Sequence, residues 1–125
     1  MVKISGQARR LRIYIGEMSK YKGMSLYHAI VLKAKELGLA GATVFRGIEG
    51  FGANSRVKTA RVLDLSNDLP LVVDIIDSVE YIDKLMPFLD EAVQEGLITI
   101  EDVEVNKYSI RTKKSNCLKE NNVYQ

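Results

Sequence analysis

The sequence predicts an α+β domain of ferredoxin-like type: a four-stranded antiparallel sheet with two helices on one face. Three observations carry this. Period-two apolar alternation at residues 11–15 and 71–76 marks strands, two stretches with apolar side chains at helical spacing mark helices, and the pieces follow one another as βαββαβ. At 125 residues and 46% apolar composition, the chain is long enough for one domain with a two-layer core. Residues 1–108 are expected to form that domain, and residues 109–125 a polar, mobile tail.

Residues 11–15 (LRIYI) alternate and include β-branched isoleucines, so they form the first strand. A charged loop is expected at residues 16–23. Ser25 then caps a helix with Leu26, Ala29, Ile30, Ala34 and Leu37 on one stripe. Gly38 sits just past its end, where a left-handed residue stops helices. The second strand spans residues 42–48. Residues 49–68 form a long loop with an extra short strand expected at 61–65; a stretch of this length without periodicity is usually functional or mobile.

Pro70 opens the third strand, residues 71–76, at the first position, where proline is tolerated. Ser78 caps a second helix running to about residue 95, with Ile82, Leu85, Met86, Leu89 and Val93 on its apolar stripe. Pro87 predicts a kink or break within it, and Gly96 ends it. The alternation shifts by one residue across 99–102, which predicts a turn or bulge before a fourth strand at 103–108.

With Leu11, Ile13 and Ile15 turned to the helices, the opposite face is expected to carry Arg12, Tyr14, Phe45 or its neighbours, Val72, Asp74, Ile76, Glu104 and Tyr108. Such a face is too apolar and aromatic for plain solvent, and has the composition of a sheet covered in a homo-oligomer. The net charge of +2 conceals a segregation. Residues 1–62 hold twelve Lys/Arg against Glu17, Glu36 and Glu49, whereas residues 63–105 hold twelve Asp/Glu against Lys84. The two segments are expected to meet within the fold or between subunits. The near balance speaks against nucleic acid as a partner. Cys117 is the only cysteine, so no intrachain disulfide forms and a reducing compartment fits. The first residues lack a signal-peptide pattern and no apolar run approaches a membrane span, so a cytoplasmic location without membrane insertion is expected.

The most informative segment is residues 41–52, GATVFRGIEGFG. A strand ending in closely spaced glycines lets the backbone approach a ligand and turn N–H groups to an anion. Arg46, Arg56, Lys58 and Arg61 lie in or near it and can pair with phosphate. On spacing alone, a glycine-rich β-turn with solvated charges explains the same residues as well. The glycine pattern is not the dinucleotide fingerprint, because no helix follows it.

Other chemistry is poorly supported. His28 is the only histidine, so a histidine metal cluster has no basis. A Cys–His nucleophile would need Cys117 from the tail. Asp90 and Glu91 are helical neighbours pointing apart. Asp74, in a buried-looking strand, reads better as an ion-pair partner of Arg12 than as a catalytic group. No nucleophile, base and orienting group converge, and an enzyme is not expected.

Gly-x-Thr-Val at the start of the second strand, a short spacer, then Gly-Phe-Gly opening a long loop resembles PII signalling proteins. Leu69–Pro70 returning into an apolar strand with an acidic residue matches the end of their T-loop, and the resemblance covers roughly residues 11–108. TVFRGIEGFG together with LSNDLP is similar to an uncharacterised prokaryotic branch of PII-like proteins. The resemblance implies a trimer that binds small ligands, often adenine nucleotides, in clefts between subunits. It implies that Thr43 sits near an adenine and that Gly50 and Gly52 offer backbone to the nucleotide, while Arg46 and Gly47 belong to the PII-like branch. With Phe51 between the glycines and Arg56 and Lys58 beyond, these make the candidate nucleotide-binding set.

The sequence departs from PII in three places. The loop has no tyrosine between Gly52 and Asp68 for uridylylation, an apolar residue near Val73 replaces a PII lysine, and the Gly-Asp-Gly-Lys phosphate loop is missing. AMP or ADP therefore fits better than magnesium-ATP, with no obligatory cofactor. The function expected is a sensor that signals through residues 53–68 to a partner protein. The same fold also serves RNA-recognition domains, acylphosphatase-like hydrolases and metal-tolerance proteins. The first lack a match here beyond Gly50–Phe51–Gly52, the second place their arginine loop before the first helix, and the third need histidine or cysteine ligands.

Overall fold

In the computed structural model, residues 4, 6–52, 57–59 and 68–111 are described. Along the chain these form β1 (Gly6–Gly16), β2 (Lys20–Tyr21), β3 (Met24–Ser25), α1 (Leu26–Glu36) and β4 (Thr43–Arg46), then β5 (Glu49–Gly50), β6 (Lys58–Thr59), β7 (Pro70–Asp77), α2 (Val79–Ala92) and β8 (Leu97–Val105). The main sheet has strand order β4-β7-β1-β8, and each neighbouring pair is antiparallel. With α1 and α2 as the crossovers, this is the predicted ferredoxin-like α+β fold.

Alternation explains the core. Leu11 and Ile13 of β1 and Val73 and Ile75 of β7 project to one face, where they meet Ile30 of α1 and Ile82, Leu85 and Leu89 of α2, all buried. Each such side chain contributes about 1.5–3 kcal/mol on burial. The segregated charges meet within the fold. Arg9 pairs with Asp102 at 3.5 Å, Arg10 Nε donates to Glu101 at 2.8 Å, and Arg12 reaches Asp74 at 3.4 Å, each across a strand pair. The two pairs on the Asp102 and Glu101 side are exposed and add little stability, but opposed charges discourage a register slip.

Both helix ends are built locally. At the end of α1, Leu39 N–H donates to the Ala34 carbonyl and Gly38 N–H to that of Lys35, with Gly38 at φ +87°. This is a Schellman closure, which needs a residue tolerant of the left-handed region. Ser78 caps α2 as expected, its hydroxyl accepting from Tyr81 N–H at 3.3 Å. Ser25 occupies the N-cap position of α1 but makes no side-chain cap; the first helical N–H, that of Leu26, donates to the Ser19 carbonyl instead.

That bond arises because residues 16–23 are not simply a charged loop. Lys22 and Gly23, at φ 48° and 86°, make the tight turn of a β2–β3 hairpin, which returns the chain beside Ser19. Tyr21 of this hairpin stacks edge-on against Phe88 of α2 at 5.2 Å.

Further expectations change. The helix runs through Pro87 without interruption and ends at Ala92. Pro87 and Asp83, four residues before it, are both exposed, so water can take the carbonyl that proline leaves unpaired. No bulge interrupts the last strand: pairing is one to one from Gly6↔Val105 to Tyr14↔Leu97, and the strand is residues 97–105 rather than 103–108. Glu104 therefore stands opposite Gln7 and shares the helix-side parity of Leu11 and Ile13, not the outer face. The second main strand is shorter than residues 42–48, and the long loop carries a β5–β6 ribbon. The strand expected at 61–65 and the tail beyond residue 111 lie outside the described residues.

Candidate ligand cleft on the open sheet face

The face of the sheet away from the helices is organised in rows, because residues opposite one another share a side. Phe45, Val72, Tyr14 and Leu97 form one row across all four strands; Thr43, Asp74, Arg12 and Thr99 form the next. Phe45, Tyr14 and Leu97 are exposed, so the first row is an uncovered apolar band. In the second row, Arg12 Nη2 donates to Asp74 Oδ2, while Arg12 Nε and Asp74 Oδ1 are buried with no hydrogen-bond partner among the described residues. Hydrogen bonding with Tyr14, and then the Asp74 charge, outweigh desolvation and push the Arg12 guanidinium above its ordinary range. It stays charged at every physiological pH. Asp74 is thus paired with Arg12 across the sheet, as the sequence suggested.

Beside this row is a cleft of about 310 Å³. Its floor is Thr43, Asp74 and Ile76; Ala40 and Gly41 form one wall, and Val105, Lys107 and Tyr108 the facing one. Ile4, buried, closes its base. The Ala40 wall is fixed from behind. Ala40 N–H donates to Asp77 Oδ2 at 2.7 Å, and Asp77 Oδ1 accepts from Ser78 N–H, also at 2.7 Å. Asp77 is only 1% exposed, so this carboxylate is a structural anchor on the opposite face from Asp74. The lining is mostly apolar with a few polar groups, the composition of small-molecule sites.

The predicted site residues do not all come together. Thr43 lines the cleft. Arg46, three residues on, has the opposite parity and pairs with Glu17 at the sheet edge. Gly47 and Gly50 are explained by packing: a β-carbon at Gly47 would lie 2.9 Å from Pro70 Cγ, and one at Gly50 would lie 3.0 Å from the same atom. Gly47 N–H also donates to the Pro70 carbonyl at 2.7 Å. Asp68 and Leu69 complete this clamp, accepting from the N–H groups of Met18 and Glu17. Phe51 is 76% exposed at the mouth of the ribbon, near Ile48 at 77%. Gly52 follows it, Lys58 pairs by its backbone with Gly50, and Arg56 lies outside the described residues. Thr43 opens β4 and Gly47 lies just past its other end, about 13 Å away at strand rise.

Sequence reasoning missed Ala40, Gly41, Lys107 and Tyr108 as lining groups. Only Gly41, two positions before Thr43 on the same face, carried a readable signal. Among the described residues no cluster of His, Cys, Asp and Glu could hold a metal, and His28 is exposed on α1. No helix among them is long and apolar enough to cross a membrane.

The strand order β4-β7-β1-β8, with both helices on one face, is a fold shared with solved structures of PII-like proteins. A solved structure described as a PII-like signaling protein from Thermus thermophilus matches with a TM-score of 0.60 at 20% identity, covering 81% of this chain and 91% of that one. A nitrogen regulatory PII-like protein from Thiomonas intermedia, bound to ADP, AMP and bicarbonate, matches with a TM-score of 0.56 at 16% identity, covering 81% and 90%. These likenesses show the fold. In sequence, the profile of the DUF190 family, described as Uncharacterized ACR, matches residues 8–105. A UPF0166 protein of Aquifex aeolicus is 43% identical over 97 residues, which are 76% of this chain and 90% of the relative. The chain belongs to the DUF190 family.

Proposed function

We propose that this protein is a PII-like sensor that binds an adenine nucleotide, AMP or ADP in preference to magnesium-ATP, and signals to a partner protein through the loop after Gly52. The observation that carries the reading is the cleft itself, a mostly apolar slot with a threonine hydroxyl on its floor and an aromatic ring on its wall. Its volume, about 310 Å³, lies at the lower end of the range for small-ligand pockets, where a mononucleotide belongs. The ADP- and AMP-bound state of the Thiomonas protein of like fold supports the same ligand class. Binding, not turnover, is the role this chemistry suits.

The separation of Thr43 from the glycine turn argues for an assembly. One nucleotide touching both would take the cleft from one copy and the Gly50–Gly52 turn, with Arg56 and Lys58, from a neighbour. The uncovered row Phe45, Val72, Tyr14, Leu97 is the surface on which copies would meet, in a trimer as the PII resemblance implies. In this arrangement Arg46 would exchange Glu17 for phosphate when ligand arrives.

A thermal-shift panel of AMP, ADP, ATP and cyclic AMP, each with and without magnesium, tests this. A ligand at a hundred times its Kd stabilises the folded state by about 2.7 kcal/mol, readily seen as a rise in midpoint. The reading expects AMP or ADP to give the largest rise, without need of magnesium. No rise with any of the four would reject the nucleotide.

A further inference from the structure

Within residues 106–111, which follow β8, the chain makes a contact back to the sheet at Tyr108. Sheet order puts β8 and β4 on opposite edges, three interstrand gaps or about 14 Å apart. From Val105 the backbone can advance about 10 Å in three residues, which brings Tyr108 over the sheet but not to its far side. The tyrosine side chain covers the rest, and its hydroxyl donates to the Ala40 carbonyl at 3.3 Å, just before β4. Tyr108 is half-buried, whereas the other residues of 106–111 are exposed. The tyrosine is thus one point at which this segment engages the sheet, and its anchor is rigid because Ala40 is held by buried Asp77.

Two consequences follow for the cleft. Tyr108, held by its hydroxyl at Ala40, lines the slot together with Thr43 and Gly41. Lys107 beside it is the one cation among the described lining residues, while their only carboxylate, Asp74, already pairs with Arg12. A slot lined by an aromatic ring and a lysine suits a ligand that joins a flat ring to an anion.

We propose that residues 106–111 form a strap that completes the cleft, with Tyr108 as the ring-contacting specificity residue, its hydroxyl latched to Ala40, and Lys107 as the anion contact. The assignment rests on the nucleotide reading and names which residues of this chain select the ligand.

The test uses the full-length protein with adenosine, AMP and ADP as probes. Tyr108→Leu removes the ring and is expected to weaken all three about tenfold or more. Tyr108→Phe keeps the ring and loses the latch, so it weakens all three about threefold. It also speeds backbone hydrogen exchange in residues 106–111 of the unliganded protein while leaving α2 unchanged. Lys107→Met weakens AMP and ADP about tenfold and leaves adenosine unchanged, a split that a merely structural role would not give. If the unaltered protein binds AMP or ADP and these variants bind like it, the strap assignment is wrong and the nucleotide reading survives. If the unaltered protein binds none of the three, both fall together. Unchanged exchange in Tyr108→Phe would overturn the latch whatever the ligand.

Discussion

The same substitution at two glycines six residues apart is expected to act with opposite sign. At Gly47, alanine would bring Cβ to 2.9 Å from Pro70 Cγ and 3.3 Å from the Pro70 carbonyl oxygen. The proline ring cannot rotate away, and the backbone oxygen is held by the 2.7 Å bond from Gly47 N–H. Overpacking of this kind costs about 1–3 kcal/mol. The smaller entropy of an unfolded alanine returns about 0.4–1 kcal/mol, leaving a net loss of about 1–2 kcal/mol. At Gly41, a β-carbon meets nothing within 4 Å, and neither glycine lies in the left-handed region, so alanine there keeps only the gain. The two variants should differ by about 2 kcal/mol. With a urea slope of about 2 kcal/mol/M, midpoints separate by about 1 M, Gly41→Ala unfolding last. A Gly47→Ala midpoint equal to that of the unaltered protein would refute the clamp. It would return Gly47 to the role of a ligand-approach glycine.

The remaining expectations concern the fold and its open face. Asp77→Ala should lose about 3 kcal/mol in urea denaturation, because the Ala40 and Ser78 N–H groups are left without their acceptor. Ser78→Ala should cost about 1 kcal/mol by the same assay, the worth of an N-cap. Leu85→Ala, in the centre of the α2 face, should cost about 2–5 kcal/mol. Leu97→Arg places a charge in the exposed apolar row; light scattering after size exclusion should report a smaller assembly, with circular dichroism unchanged.

Much of the fold was legible because the central strands are buried on one side. Ile13 and Val73 must face the helices, so their alternation is strict, and the α2 stripe of Ile82, Leu85 and Leu89 is equally constrained. β8 is an edge strand with no residue fully buried, so nothing forces its apolar residues into step. The apparent slip at residues 99–102 is the result, and it misplaced Glu104. The β2–β3 hairpin was obscured by the charge of its residues, although Lys22–Gly23 is a turn pair. The site was legible only at Thr43. Its lining comes from residue 4, residues 40–43, residues 74 and 76, and residues 105, 107 and 108, four segments that strand order alone brings together. The separation of Arg46 from Thr43 could have been read, since residues three apart on a strand face opposite ways.

The central claim, that the cleft beside Thr43 takes an adenine nucleotide, is tested most directly by calorimetric titration of ADP into the unaltered protein and Gly41→Leu side by side. Gly41 opens onto unoccupied space in the cleft wall, so leucine fills the slot without disturbing the core. The account predicts saturable binding to the unaltered protein and its loss in Gly41→Leu, with both folded to the same extent. Equal ADP binding by the two proteins would put the nucleotide elsewhere and contradict the account.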